Sequence, residues 1–261
     1  MKGAAQTMSP SSTTDRGVML ITGGSRGIGA ATARLAAQKG WAIAIVYRDR
    51  SEQAAAVVQD ITSAGGRALA IQADVAREAD IVRAFKAADA LGQLTALVNN
   101  AGISGGVSRV DAVTGAQLDE VMRVNVTAPF LCAREAILRM STERGGHGGS
   151  IVNIGSGASV QGSPGTWVHY AATKGALDSM TIGLSKEVAA EGIRVNAVRP
   201  GVVDTEIHAS RPPGQLAEII RSVPLGRIGT PDDIARSIVF LASEEESSFV
   251  TGALLDARGG R

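Results

Sequence analysis

The stretch Leu20-Ile21-Thr22-Gly23-Gly24-Ser25-Arg26-Gly27-Ile28-Gly29 decides how this chain folds. It joins an apolar run, Val18–Thr22, to a helix-period segment over 27–39 that stops at Gly40. A strand that turns through glycines into a helix leaves the first helical N–H groups free and brings bare backbone close to an anion. The spacing is G-x-x-x-G-x-G, which differs from the G-x-G-x-x-G dinucleotide fingerprint. The same residues also spell G-x-S-x-G, a hydrolase nucleophile elbow with Ser25 as nucleophile, and His147-Gly148-Gly149 imitates an oxyanion motif. That second reading needs an acid and a histidine from later strand ends, and nothing marks His169 or His208 as such. A third is a glycine turn with no ligand.

Outward from this turn, short apolar runs alternate with helix-period stretches. Strands are expected at Val18–Thr22, Ala42–Tyr47, Ala68–Gln72, 96–99, 151–154, 194–198 and 253–256. Helices are expected over 27–39, 51–63 with Ser51 as cap, 78–90, 116–144, 168–191 and 231–242, the last behind Thr230 as N-cap. Strands apolar throughout are buried on both faces, and their alternation with helices implies a parallel sheet wrapped on two sides. The fold class is therefore α/β: a single doubly wound Rossmann-type domain with a parallel sheet of about seven strands. Residues 1–15 are small and polar and read as a disordered tail, leaving 16–261 as one domain.

Composition narrows the function. The formal net charge is +1, with 26 basic and 25 acidic residues and no basic run, which argues against nucleic acid. Cys132 is the only cysteine, so no internal disulfide forms, and a reducing, cytoplasmic setting is expected. Three histidines and one cysteine do not suggest a metal site. No apolar run reaches the ~18 residues of a membrane span. Glycine is the outlier at 32 of 261 residues, a sign of tight turns and close backbone approaches.

Tyr170 and Lys174 stand four apart on an expected helix and share a face. A free phenol titrates near pH 10 and is a poor base at neutral pH. An ammonium ~4 Å away at an effective dielectric of ~20 attracts phenolate by about 4 kcal/mol, roughly three pKa units before desolvation is subtracted. Ser156 precedes Tyr170 by 14 residues at the end of a strand, where open α/β sheets bind ligands; Ser159 is its fallback.

Thr22-Gly23-x-x-x-Gly27-x-Gly29, Asn99-Asn100-Ala101-Gly102, Asn125, Ser156, Tyr170-x-x-x-Lys174 and Pro200-Gly201, in that order, resemble the short-chain dehydrogenase/reductase family over nearly the whole chain. The resemblance implies an NAD(P)-dependent oxidoreductase that interconverts a carbonyl and a secondary alcohol. It implies Tyr170 as proton donor/acceptor, Lys174 tuning it, Ser156 orienting the substrate oxygen and Asn125 bending its helix to hold a proton-relay water. Cofactor contacts carried over are Gly23, Ser25, Arg26, Gly27, Ile28, Gly29, Tyr47, Arg48, Asp74, Val75, Asn99, Ala101, Gly102, Tyr170, Lys174, Pro200, Gly201, Val203 and Thr205. Within that set, the first asparagine of the Asn99 pair is assigned to supporting the sheet.

At the end of the second strand, Tyr47 takes the place of an NAD-selecting acid, and Arg48 follows. With Arg26 this makes two cations for a 2′-phosphate, which argues for NADP(H) over NAD(H). Asp49 is the complication, and an NAD(H)-dependent sugar or alcohol dehydrogenase is the alternative. A non-enzymatic NADP(H)-sensing protein on the same fold is the other. The segment 206–215 has the makeup of a lid, with His208 and Arg211 as possible substrate contacts. The apolar faces over 116–144 and 168–191, with Phe130, suggest burial against other subunits, and the family resemblance implies a homotetramer.

Overall fold

A computed structural model describes residues 15–206, 218 and 220–261. Residues 1–14 of the tail expected over 1–15, and His208 and Arg211 of the expected lid, lie outside the described residues.

Seven parallel strands form one sheet in the order β3-β2-β1-β4-β5-β6-β7. They are β1 (Val18–Thr22), β2 (Ala42–Tyr47), β3 (Ala68–Gln72), β4 (Leu94–Asn99), β5 (Gly149–Ile154), β6 (Ile193–Pro200) and β7 (Leu254–Ala257). Successive residues of a strand face opposite sides of the sheet, so each strand feeds two cores. Leu20 joins the core beneath α3 (Glu78–Ala88), α5 (Ala128–Met140) and α7 (Val168–Glu187). Its neighbours Met19 and Ile21 join the core beneath α1 (Gly27–Gln38), α2 (Ser51–Ser63) and the helix Pro231–Ala242. Each fully buried side chain of this kind contributes about 1.5–3 kcal/mol, which is why the strands read as continuous apolar runs.

β1 lies third in the sheet, beside the central β4. The chain leaves it toward β2 and β3 on one side, then crosses over to β4 and continues outward to β7. Strand order therefore reverses between β1 and β4, and a crevice opens beyond their C-terminal ends. Thr22 and Asn100 pin the two ends together. The Thr22 hydroxyl accepts from the N–H groups of Asn100 and Ala101, both at 3.0 Å. Asn100 Nδ2 donates to the carbonyls of Thr22 and Gly23, both at 2.9 Å.

Two expectations are corrected. The helix over 116–144 is broken into α4 (Gly115–Met122), a π-helical turn at Arg123–Thr127, and α5. Pro129 supplies the reason: it has no N–H for the Asn125 carbonyl, and its ring crowds that carbonyl, so a regular α-helix cannot pass. Ser51 does not cap α2; it is already the first helical residue, and no side chain caps the helix. A cap must stand outside the helix for its oxygen to reach the free N–H groups. The loop after β5 contains a short helix, α6 (Ala158–Gln161), where the Ser156 hydroxyl accepts from Ala158 N–H at 3.1 Å. Thr230 behaves as expected, forming a reciprocal cap with Asp233.

Candidate active site

The crevice is a cleft of about 800 Å³ that runs across the C-terminal ends of β1, β2, β4, β5 and β6. Gly23, Ser25, Arg26, Gly27 and Ile28 line one stretch of it, and Tyr47 and Arg48 line the β2 end. Asp74, Val75, Ala101 and Gly102 follow, and Ser156, Tyr170 and Lys174 lie along the same cleft with Pro200, Gly201, Val203 and Thr205.

The turn after β1 is built for close approach. A Cβ on Gly29 would collide with the Gly23 carbonyl and stand 2.6 Å from Asn100 Nδ2. Gly23 itself holds a φ of +66°, which side-chain-bearing residues rarely adopt. Gly29 therefore packs the turn instead of lining the cleft, and Gly23 leaves bare backbone facing it. This cradle fits a dinucleotide pyrophosphate, with the α1 N-terminus supplying N–H groups and positive dipole.

Besides Gly29, two assigned residues stand apart from the cleft. Asn99 is buried; its Nδ2 donates to Asn153 Oδ1 at 2.9 Å, and Asn153 Nδ2 donates to Thr181 Oγ1 at 2.9 Å. Asn99 therefore braces β4 against β5 and α7, and its neighbour Asn100 faces the cleft. Asn125 is also buried in the π turn. Its Oδ1 accepts from Ile103 N–H at 2.9 Å, and its Nδ2 donates to the Ile103 carbonyl at 2.8 Å and to Thr173 Oγ1 at 3.1 Å. Asn125 and Lys174 meet across Gly102: a Cβ there would stand 3.3 Å from Asn125 Oδ1 and 3.6 Å from Lys174 Nζ.

Lys174 is 4% exposed, and its ammonium donates to the Ile154 carbonyl at 2.7 Å. It lies over the Tyr170 ring, 5.6 Å from the centroid. Burial brings the lysine from 10.5 down to about 8, and Asp178 opposes that fall. Tyr170 departs from the sequence-based expectation. Desolvation pushes the phenol above its usual value, and a hydrogen bond with Ser156 offsets part of the rise. The ammonium is spent on Ile154, so burial of the phenol wins. Tyr170 is consequently neutral at pH 7 and carries a proton it can give. Trp167 packs edge-on against the ring, centroids 6.1 Å apart. The fallback residue Ser159 donates to the Ser156 carbonyl at 2.9 Å and so shapes the turn.

The β2 end is charged. Arg48 and Asp49 pair at 2.6 Å, with both side chains more than half exposed. Arg26 pairs with Glu206 across the cleft, and Arg50 approaches the same carboxylate at 3.6 Å. Sequence reasoning passed over Arg50 and Glu206, which belong to no motif, and over Asn100, which stands inside the Asn99–Gly102 motif but was given no role; their convergence on the cleft marks all three. Asp74 Oδ1 accepts from Ala76 N–H at 2.9 Å, so it both caps its turn and faces the cleft. The two described histidines give the hydrolase reading no support. His147 precedes β5, at the opposite end of the sheet from Ser25, and His169 Nε2 is engaged with the Ser104 carbonyl at 2.9 Å.

A family profile described as Enoyl-(Acyl carrier protein) reductase matches residues 23–261. The chain is a short-chain dehydrogenase/reductase. This short-chain dehydrogenase/reductase is 48% identical to the uncharacterized oxidoreductase YgfF of Escherichia coli, over 94% of this chain and 99% of that one. It superposes with a TM-score of 0.87 on a blue fluorescent protein from a metagenomic library in complex with NADPH, 37% identical, covering 95% and 99% of the two chains. With 3-ketoacyl-(acyl-carrier-protein) reductase from Brucella melitensis complexed with NADH, the TM-score is 0.86 at 34% identity, covering 95% and 98%. The protein is thus an oxidoreductase of a family acting on CH–OH or carbonyl groups. Among the described residues no helix is long and apolar enough to cross a membrane, and no cluster of metal-binding side chains occurs.

Proposed function

We propose that this enzyme reduces a carbonyl to a secondary alcohol, and runs the reverse oxidation, with NADP(H). The observation that carries the reading is the grouping of Ser156, Tyr170 and Lys174 in one cleft with the glycine turn after β1 and the cations at the β2 end. A bound nicotinamide dinucleotide supplies or accepts the hydride. Gly23, Ser25, Arg26, Gly27 and Ile28 would hold its pyrophosphate; Asp74, Val75 and Ala101 would line its adenosine half. Gly102, Lys174, Pro200, Gly201, Val203 and Thr205 would line the half that reacts.

The chain's own residues handle the proton. Ser156 donates a hydrogen bond to the substrate oxygen and concentrates negative charge there. Tyr170 transfers its hydroxyl proton to that oxygen as the carbonyl is reduced. The phenolate left behind is stabilised by the Lys174 ammonium and the Ser156 hydroxyl. In the oxidative direction the same steps run backward. Asn125 fixes the Ile103 backbone and the approach to Lys174, which supports a place in the proton path.

Arg48, Arg26 and Arg50 favour a 2′-phosphate, hence NADP(H), by charge-assisted hydrogen bonding. Asp49 favours the alternative, NAD(H), because its carboxylate already occupies Arg48. The exposed Leu118, Phe130 and Leu138 of α4 and α5, with Ile182 of α7, support a homotetramer. The test is oxidation of NADPH and of NADH by purified protein across a panel of aldehydes, ketones and keto esters. NADPH consumption with at least one carbonyl, lost in Tyr170→Phe, is expected; consumption unchanged in that variant overturns the reading.

A further inference from the structure

Asp178 lies one turn beyond Lys174 on α7 and is 9% exposed. A carboxylate so buried is stable only if charge or hydrogen bonds compensate it. Arg199 of β6 approaches it at 3.5 Å, and the same guanidinium reaches Asp256 of β7 at 2.9 Å. Asp256 in turn holds Arg258 at 2.7 Å. Asp178, Arg199, Asp256 and Arg258 therefore form a row of alternating charge from the lysine's helix to the end of the last strand. The row runs beneath the Ser156 turn. A Cβ on Gly155 would stand 3.0 Å from Arg199 Cγ and 3.3 Å from Asp178 Oδ1, and one on Gly157 would stand 2.7 Å from Arg258 Cδ. The residues on both sides of Ser156 thus rest directly on it.

A row that served stability alone would be expected to satisfy its own atoms. Here Asp178 Oδ1 is buried with no hydrogen-bond partner among the described residues, and the carboxylate, one helical turn from Lys174, acts on its ammonium. Tyr170, one turn before Lys174 on the same face of α7, also meets that ammonium, which lies 5.6 Å from its ring centroid. Of the other charged residues on elements packed against α7, Asp119 and Glu120 of α4 and Arg123 of the π turn are exposed, and Arg194 of β6 is buried but pairs with Glu244 at 2.9 Å, at the opposite end of that strand from Arg199. Glu191, beyond the end of α7, is only partly buried and lies 17 residues past Lys174.

We propose that Asp178 is a positioning residue of this active site, anchored by Arg199 and Asp256 so that its carboxylate keeps Lys174 charged and the Ser156 turn in place. The inference rests on the roles given above to Tyr170, Lys174 and Ser156. Removing the carboxylate leaves Lys174 with burial alone, so the lysine loses its proton at lower pH.

The test compares Asp178→Asn, Asp178→Glu and Asp256→Asn. Lys174 is one of five lysines, so its titration in the cofactor-free protein can be followed by carbon-13 NMR of the lysine Cε. The kcat/KM profile against pH is measured beside it. In Asp178→Asn the lysine titration and the alkaline limb of the profile both move down by about one pH unit, and Asp178→Glu restores them. Asp256→Asn leaves Arg199 to neutralise Asp178 more fully, so both move the same way by less. It carries the test if Asp178→Asn does not fold. A lysine titration and limb that stay where they are in a folded Asp178→Asn, or in Asp256→Asn if that variant must stand in, overturn the proposal. If Tyr170→Phe is inactive while the limb stays in place, only this inference fails; if Tyr170→Phe is active, the reading beneath it fails.

Discussion

Replacing Lys174 with methionine should abolish turnover and yet make the cofactor-free protein more stable at pH 7. The lysine's fall from 10.5 to about 8 on folding means that keeping the buried ammonium charged costs about 3.4 kcal/mol at about 1.36 per pKa unit. Methionine removes that cost and fills similar volume. It also strips the Ile154 carbonyl of its 2.7 Å donor, a loss of about 1–3 kcal/mol for a buried acceptor. Asp178 keeps Arg199 as a partner, so no orphaned charge is created. The net gain is about 0.4–2.4 kcal/mol, a rise of a few degrees in Tm for a chain of this size. The sign depends on pH. Between about pH 8 and 10.5 the unfolded chain holds the lysine proton and the folded chain does not, so wild-type stability rises with pH through that window. The variant lacks this gain. Its advantage is full below pH 8 and shrinks above, and by pH 10.5 only the lost hydrogen bond remains. Thermal unfolding of both proteins at pH 7, 8.5 and 10 measures this. A variant less stable than wild type at pH 7, or a difference that does not change with pH, would refute the argument that Lys174 is held charged against its burial.

Other substitutions probe the rest of the cleft. Tyr170→Phe should lower kcat by at least about 10³-fold, in keeping with loss of a positioned acid, while NADPH affinity by fluorescence titration changes only a few-fold; a kcat within tenfold of wild type contradicts the proton-transfer role. Arg48→Glu should weaken NADPH binding at least about tenfold more than NADH binding, because it puts a carboxylate where a 2′-phosphate would sit; equal losses by calorimetry remove the phosphate assignment. Glu206→Gln frees Arg26 and Arg50 from a competing carboxylate, so the NADPH dissociation constant should fall about two- to fivefold, a modest change suited to exposed pairs. An unchanged constant would show that the pairing does not compete with the cofactor.

Much of the cleft was legible because its residues announce themselves locally. The strand–glycine–helix junction at 18–29, the four-residue spacing of Tyr170 and Lys174, and Ser156 at a strand end all follow from near neighbours. Asn99 and Asn100 show the limit: two adjacent asparagines at a strand end face opposite ways, and pleat and register decide which one meets the cleft. The break in the long helix was in principle readable from Pro129, whose missing N–H falls opposite Asn125, but the amphipathic pattern ran through it uninterrupted.

The order of apolar runs and glycines, with the four-residue spacing of Tyr170 and Lys174, settled the parallel sheet, the place of its crevice and the pairing of a phenol with an amine, since each is signalled by a pattern only a few residues long. Tertiary structure decided the electrostatics. Tyr170 is shifted upward by the protein packed around it, and Arg199 links Asp178 to Asp256 only because β6 lies between α7, packed on it, and its neighbour β7. Desolvation and long-range charge are sums over residues distant in the chain, and no local spacing encodes such a sum.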